Sequence, residues 1–291
     1  MNTSLEHLPT PGREQLKKIT EIIVAAIRPE KIILFGRYAA TTGVPRLSWH
    51  DNSLPPTGGF DLLVITRRGE RRYEHEVQDL IENRCRAHVP VTVLVHDMDY
   101  MNEQLSQGGY FFSMLRVEGI LLFDARTVPI AKGSPPDLAA IRIRAEKDFG
   151  AWWSKAEAYY RSALFNRQGK EWKLAAFLLH QAAESAYQAV LLTFTGYKPC
   201  THNLDKLRRY TSRFSLALTL VFPCDNPGEE YLFRLLLIAY VDARYKEEYA
   251  ITENEVDILI GRLADLLSVT ARICRNRLTS LGKMEKAGFL A

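Results

Sequence analysis

Ile32-Ile33-Leu34-Phe35-Gly36-Arg37 and Gly58-Gly59-Phe60-Asp61-Leu62-Leu63-Val64 each contain a compact apolar run bounded by glycine or charge. Runs this short and this rich in branched residues have the pattern of strands buried on both faces. Lys31 to Phe35, Phe60 to Thr66 and Val89 to Val95 therefore read as three strands, and Ile120 to Phe123, after Gly119, as a fourth. Helical spacing precedes the first strand, at Leu16, Ile19, Ile22, Ile23, Ala26 and Ile27, with Pro29 as its stop. It recurs between the second and third strands at Tyr73, Val77, Leu80, Ile81 and Cys85. Strands interleaved with helices predict a small mixed sheet with helices packed against it.

From Thr127 to Pro136 the composition shifts to Pro129, Gly133, Ser134, Pro135 and Pro136, so residues 128–136 read as a linker between a domain at 1–127 and another at 137–291. Everything beyond is helical in pattern. One helix is expected from about Asp137 to Phe165, broken at Gln168-Gly169, and a second from Trp172 to Phe194, stopped by Gly196 and Pro199. A third starts near Asn203, a fourth holds Tyr231 to Val241, and the last opens on a capping box, Thr252 with Glu255. The fold class is α+β, a mixed sheet with helices followed by an all-α antiparallel bundle.

At 291 residues, 47% hydrophobic and 25% charged, the chain has the composition of a globular protein and the length of two ordinary domains. No apolar run approaches the roughly 20 residues of a membrane-spanning helix, and Met1 to His7 has neither a basic nor an apolar leader region, so the default expectation is cytoplasmic. Cys85, Cys200, Cys224 and Cys274 form no C-x-x-C pair and read as reduced thiols. Residues 1–127 carry 15 Lys and Arg against 16 Asp and Glu; residues 128–291 carry 23 against 18, so the net charge of +4 belongs to the helical half.

The pair of runs quoted first resembles the minimal nucleotidyltransferase domain of the DNA polymerase beta superfamily, a strand, a Gly-Ser turn, and a strand bearing Asp-x-Asp. Carboxylates at alternate strand positions share a face, so with a third acid from a neighbouring strand they can hold two divalent ions against a nucleoside triphosphate. Here Asp61 matches the second acid, Gly59 stands at the first, Arg37 replaces the serine, and the third strand offers Thr92. Asp51, within an insertion from Ala39 to Thr57, is the available substitute acid. Gly36 and Arg37 retain the means to meet phosphate, through backbone N–H groups and a charged donor. No cofactor is expected, with Mg(II) required only if this site is active. The acids Asp97, Asp99 and Glu103 read as the charged first turn of a helix.

The helical half resembles the HEPN domain through Phe177-Leu178-Leu179-His180-Gln181-Ala182-Ala183-Glu184, Thr201-His202-Asn203-Leu204-Asp205-Lys206-Leu207 and Ala239-Tyr240-Val241-Asp242-Ala243-Arg244-Tyr245. That resemblance implies a homodimer through this domain and, in many members, metal-independent ribonuclease chemistry by an Arg and a His four to six residues apart. Arg244 fits the arginine, but Tyr249, Ala250 and Ile251 stand where the histidine belongs. His180 and His202 read as packed or capping residues. Arg244 and Lys246, beside a helix start at Thr252 with free N–H groups, form the candidate phosphate site, with Asp242, Glu247, Glu248 and Glu253 as neutralising neighbours.

The expected function is a nucleotide- or RNA-binding regulatory protein in which both catalytic motifs are eroded, in the toxin-antitoxin or defence setting that the paired resemblances imply. Its alternatives are an active nucleotidyltransferase or ribonuclease with a non-standard site, and a dimerisation scaffold. The aromatics Trp152, Trp153, Tyr159, Tyr160, Trp172 and Tyr187 are expected either at the dimer contact or inside one bundle.

Overall fold

A computed structural model describes residues 1–39, 59–134 and 137–286; Asp51 lies outside them. The chain divides into two compact units, Met1–Asp137 and Leu138–Ala291.

In the first unit, α1 (Thr10–Ile27) ends where Arg28 turns left-handed and its N–H closes on the Val24 carbonyl at 3.0 Å, one residue before Pro29. Then come β1 (Lys31–Phe35), a single 3-10 turn (Gly36–Tyr38), β2 (Phe60–Thr66), α2 (Glu74–Cys85), β3 (Val91–Asp97), α3 (Met98–Ser106), α4 (Tyr110–Glu118) and β4 (Ile120–Asp124). The sheet order is β3-β2-β1-β4, with β1 antiparallel to β2 and to β4 and β2 parallel to β3. Parallel neighbours need a crossover, which α2 supplies.

Alternate residues of the strands serve opposite faces. Ile32, Leu34, Leu62, Val64, Val93 and Val95 pack with Leu16, Ile19 and Ile23 of α1 and Val77, Ile81 and Cys85 of α2. Ile33, Leu63 and Leu94, on the other face, are buried as well. Coverage on both sides is why these strands read as continuous apolar runs. β3 starts at Val91 rather than Val89 because the Val89 N–H still closes on the Cys85 carbonyl, 3.1 Å away.

The acids after β3 serve α3. Asp97 caps it by accepting from the Tyr100 N–H at 2.7 Å, and Asp99 holds Arg68. The helix α4 carried no readable period, since Tyr110 to Leu115 are six consecutive buried residues without a polar face. The stretch read as a linker is tied down along residues 127–134. Glu30 accepts from the Thr127 and Val128 N–H groups, Asn102 from Ala131, and the Leu105 carbonyl from Ser134.

The second unit comprises α5 (Leu138–Gln168), α6 (Trp172–Thr195), α7 (Leu204–Thr211), α8 (Leu216–Val221), α9 (Pro227–Ala239), α10 (Asp242–Tyr245) and α11 (Glu253–Lys286). α6 is its axis, buried without a break from Ala182 to Thr195, and its alanines at 175, 176, 182, 183, 186 and 189 let neighbouring helices approach closely. α5 and α11 run antiparallel, as Arg142–Glu285 at one end and Arg167–Asp257 at the other require. α9, expected to hold Tyr231 to Val241, runs from Pro227 to Ala239, its start set by Asn226, which accepts from the Gly228 and Glu229 N–H groups, and by Pro227, which suits a first-turn position. At six residues, α8 is too short to register as a period.

Candidate functional site

On the sheet, Asp61 of β2 lies opposite Thr92 of β3, and Gly36 (φ +75°) opens the 3-10 turn so close to Asp61 that a Cβ at position 36 would collide with the carboxylate. Only glycine fits there. A Cβ at Gly59 would come within 2.8 Å of the Pro90 carbonyl oxygen. The first-acid position is therefore closed by backbone, and the neighbouring strand offers a hydroxyl where a third acid is needed. Asp61 with Thr92 does not fit a two-metal centre, which needs several carboxylates in addition to phosphate oxygens. Among the described residues, no three of His, Cys, Asp and Glu are grouped to hold a metal ion. Gly59→Asp is expected to cost about 1–3 kcal/mol through overpacking against Pro90. Chemical denaturation measures this, and an unchanged midpoint would show that the β3 entry can shift aside.

In the helical unit the side chains converge on Tyr240, at the C-cap of α9. His180 of α6 and His202, from the segment before α7, have ring centres 5.1 and 4.9 Å from that of Tyr240, the His202 ring nearly parallel to it at 13°. The Arg244 guanidinium of α10 lies 4.5 Å from the same ring centre, 5.1 Å from Phe177 and 5.0 Å from Tyr245. Its Nε donates to the Tyr240 carbonyl at 2.6 Å, which orients the plane. Arg244 is exposed and has no ion pair among the described residues. Two of the four neighbouring acids are engaged elsewhere: Asp242 holds Lys246 at 3.0 Å and Glu253 meets Arg167 at 3.2 Å, while Glu247 and Glu248 are exposed to solvent.

Lys246 belongs to an ion pair with Asp242, and the capping box at the start of α11 engages the Thr252 and Glu255 N–H groups. Thr252 Oγ accepts from the Glu255 N–H while Glu255 accepts from the Thr252 N–H and hydroxyl. Tyr249, at the place of the missing histidine, is buried; its hydroxyl donates to the Leu235 carbonyl, and burial raises its pKa above the ordinary phenol range.

The fold supplies imidazoles from another direction. His202, with 61% of its side chain exposed, has Nδ1 2.9 Å from Glu184 Oε1. A carboxylate only accepts, so Nδ1 carries a proton towards Glu184, and in the neutral form of the ring Nε2 keeps its lone pair. His180 is wholly buried; burial, then the charges of His202 and Arg244, push its pKa down to about 3, so it is neutral. Its Nε2 and the second Glu184 oxygen have no hydrogen-bond partner among the described residues. An open cleft of about 410 Å³ runs beside His202, Tyr240 and Asp242.

The loop that delivers His202 is fixed at both ends. Gly196 (φ 66°) caps α6 through the Leu192 carbonyl, Gln188 donates to the Pro199 carbonyl, and Asn203 caps α7 from the Lys206 N–H. Arg244 was legible from the sequence. His202 was read as a packed or capping residue and was not joined to Glu184, which lies mid-helix in α6 and 18 residues away, so that His202 beside the next helix cap was the only signal.

No curated protein matches the chain. A HEPN domain model matches residues 149–273, from within α5 to within α11, and so spans Tyr240, Arg244, His180, His202 and Glu184. The helical unit is thus the part of the chain similar to the HEPN domain family.

Proposed function

We propose that the protein binds the phosphate of a nucleotide or RNA at Arg244, without metal, in a regulatory role. The observation that carries this is the arginine itself, oriented by the Tyr240 carbonyl, backed by three aromatic rings and unpaired among the described residues. A guanidinium preorganised in this way presents its outer N–H groups for bidentate phosphate contact, and the aromatic surface suits a base. The neutral state of His180 removes a competing charge beneath it. A homodimer is part of the proposal, supported by exposed Phe165, Leu174 and Tyr245 near the same helix ends. Trp152, Trp153, Tyr159, Tyr160 and Trp172 are half-buried in the single chain, and only Tyr187 of that group is enclosed. The first unit enters as a nucleotidyltransferase-like fold, supported by its strand order and the Gly36–Asp61 approach, with the acid set too sparse for transfer.

One observation favours a second reading, a ribonuclease with its base drawn from a different helix. His202, held by Glu184, can take the proton of a ribose 2′-hydroxyl at Nε2 as the 2′-oxygen bonds to phosphorus. Arg244 would carry the charge on the non-bridging oxygens, and the proton would pass to the departing 5′-oxygen as its bond to phosphorus breaks. Glu184 is then a positioning residue.

Titration calorimetry with a short labelled RNA tests both. Arg244→Ala is expected to weaken binding at least about tenfold, and Arg244→Lys to fail to restore it because an ammonium lacks the planar fork. Unchanged affinity in Arg244→Ala would overturn the site. If wild-type protein cleaves the RNA, His202→Ala is expected to abolish cleavage while retaining binding; intact RNA after incubation would remove the second reading alone.

A further inference from the structure

A second cleft lies elsewhere on the helical unit, between α5 and α11. Its volume is about 810 Å³, within the range of about 300–1,000 Å³ that small-molecule sites occupy. Trp153, Glu157, Tyr160 and Arg161 line it from α5, and Arg272 and Arg275 from α11. The antiparallel register fixed by Arg142–Glu285 and Arg167–Asp257 sets Trp153 across from the Arg272 and Arg275 turn, and Arg161 towards the opposite end. The wall contributed by α11 includes Ala264 and Ala271, whose short side chains leave the aromatic groups of α5 standing open to the cleft.

The charges are the informative part. Four other arginines of these two helices have acidic partners: Arg142 with Glu146 and Glu285, Arg144 with Asp148, Arg167 with Asp257, and Arg262 with Glu229. Arg161, Arg272 and Arg275 have none among the described residues, and they share one cleft that contains a single carboxylate, Glu157. The aromatic groups are held in advance. Trp153 stacks on Phe149 with ring centres 5.8 Å apart, and the Tyr160 hydroxyl donates to the Ile260 carbonyl at 3.3 Å.

From this combination we infer that the α5–α11 cleft is a binding site for a nucleoside polyphosphate, its base against Trp153 and its phosphates on Arg272 and Arg275. An aromatic face gives binding area to a flat base, and guanidinium groups give paired donors to phosphate oxygens. An apolar ligand would leave the guanidinium groups unused and a bare inorganic ion would leave the aromatic face unused, so the whole cleft suits a ligand that carries both. This site is separate from Arg244 and does not depend on the reading of that cluster.

The test uses the full chain with ATP, tripolyphosphate and adenosine as probes, followed by calorimetry and by tryptophan fluorescence. ATP is expected to bind and to change the emission, with Trp153→Phe removing most of that change. The double variant Arg272→Gln, Arg275→Gln alters two exposed side chains and is expected to weaken ATP at least about tenfold, the loss of two charge-assisted contacts. Because Arg244 is itself proposed to meet nucleotide phosphate, the readout for this cleft is the emission change that Trp153→Phe removes, which separates this site from the first. Tripolyphosphate and adenosine should each bind more weakly than ATP. The proposal is overturned by no ATP-induced emission change, by an emission-reported ATP affinity that survives the double variant, or by tripolyphosphate competing for that change as tightly as ATP binds, the behaviour of a general polyanion patch. It is equally overturned if light scattering shows that the double variant changes the oligomeric state while ATP affinity stays the same, since the cleft would then seat a second copy.

Discussion

Lys31→Met is expected to cost the first unit about 3 kcal/mol, the low end for breaking a buried ion pair from one side. Lys31 is 1% exposed, with its Nζ 2.6 Å from Asp124 Oδ1 and 3.7 Å from Glu30 Oε1. Methionine keeps the length of the stem and removes the charge, leaving two carboxylates beside each other at the start of β1. Burial raises the Glu30 carboxyl, but bonds from Thr127 and Val128 and the charge of Lys31 outweigh it and hold its pKa below the ordinary value. Asp124 is likewise held low against its burial, by the Lys31 bond and the Arg126 N–H. Both depressed carboxyls contribute stability that is present above their unfolded pKa values and lost as pH falls through the folded ones. Asp124 keeps about a third of its side chain in solvent, which is why the low end of the range applies. Denaturant unfolding with amide exchange along β1 and β4 measures the loss. A change under about 1 kcal/mol would mean that water screens the cluster.

Acidification is expected to destabilise the helical unit well before its carboxylates protonate. His180 has a folded pKa near 3 against a reference of 6.5, so below pH 6.5 the unfolded chain takes up a proton that the folded one refuses. The sign follows directly. No penalty exists above pH 6.5; below it stability falls by up to about 1.4 kcal/mol per pH unit, levelling near pH 3. Between pH 6.5 and 4.5 the loss is roughly 2 kcal/mol. The quantity to measure is the difference between wild type and His180→Gln. Their thermal midpoints, taken from pH 7.5 to 4.5, should converge or cross on acidification. Parallel curves would show that His180 accepts its proton in place.

The elements with a clean period or a run of branched residues were legible: α1, the four strands, α5, α6 and the capped start of α11. Where reading failed, the physical signal was absent. Tyr110 to Leu115 is buried all round and so shows no face, and Leu216 to Val221 is shorter than two turns. The candidate site divides in the same way. Arg244 lies in a recognisable stretch, and its aromatic neighbours Tyr240 and Tyr245 lie within four residues of it. A search for a histidine a few residues downstream finds Tyr249, a packed phenol. His202 reaches Tyr240 only because the chain reverses after Gly196, a relation between distant residues that no local spacing carries.

That reversal also separates two properties that usually vary together. The bundle is held by α5, α6 and α11, whereas the histidine opposite Arg244 hangs on the short span between the Gly196 and Asn203 caps. Closing a loop costs little more entropy when it is lengthened by a residue or two. Insertions there would move the imidazole away from Glu184 and Tyr240 while leaving the helices in register. The fold thus keeps the spacing between arginine and histidine as an adjustable element, open to change by drift or by design at little cost to the three long helices.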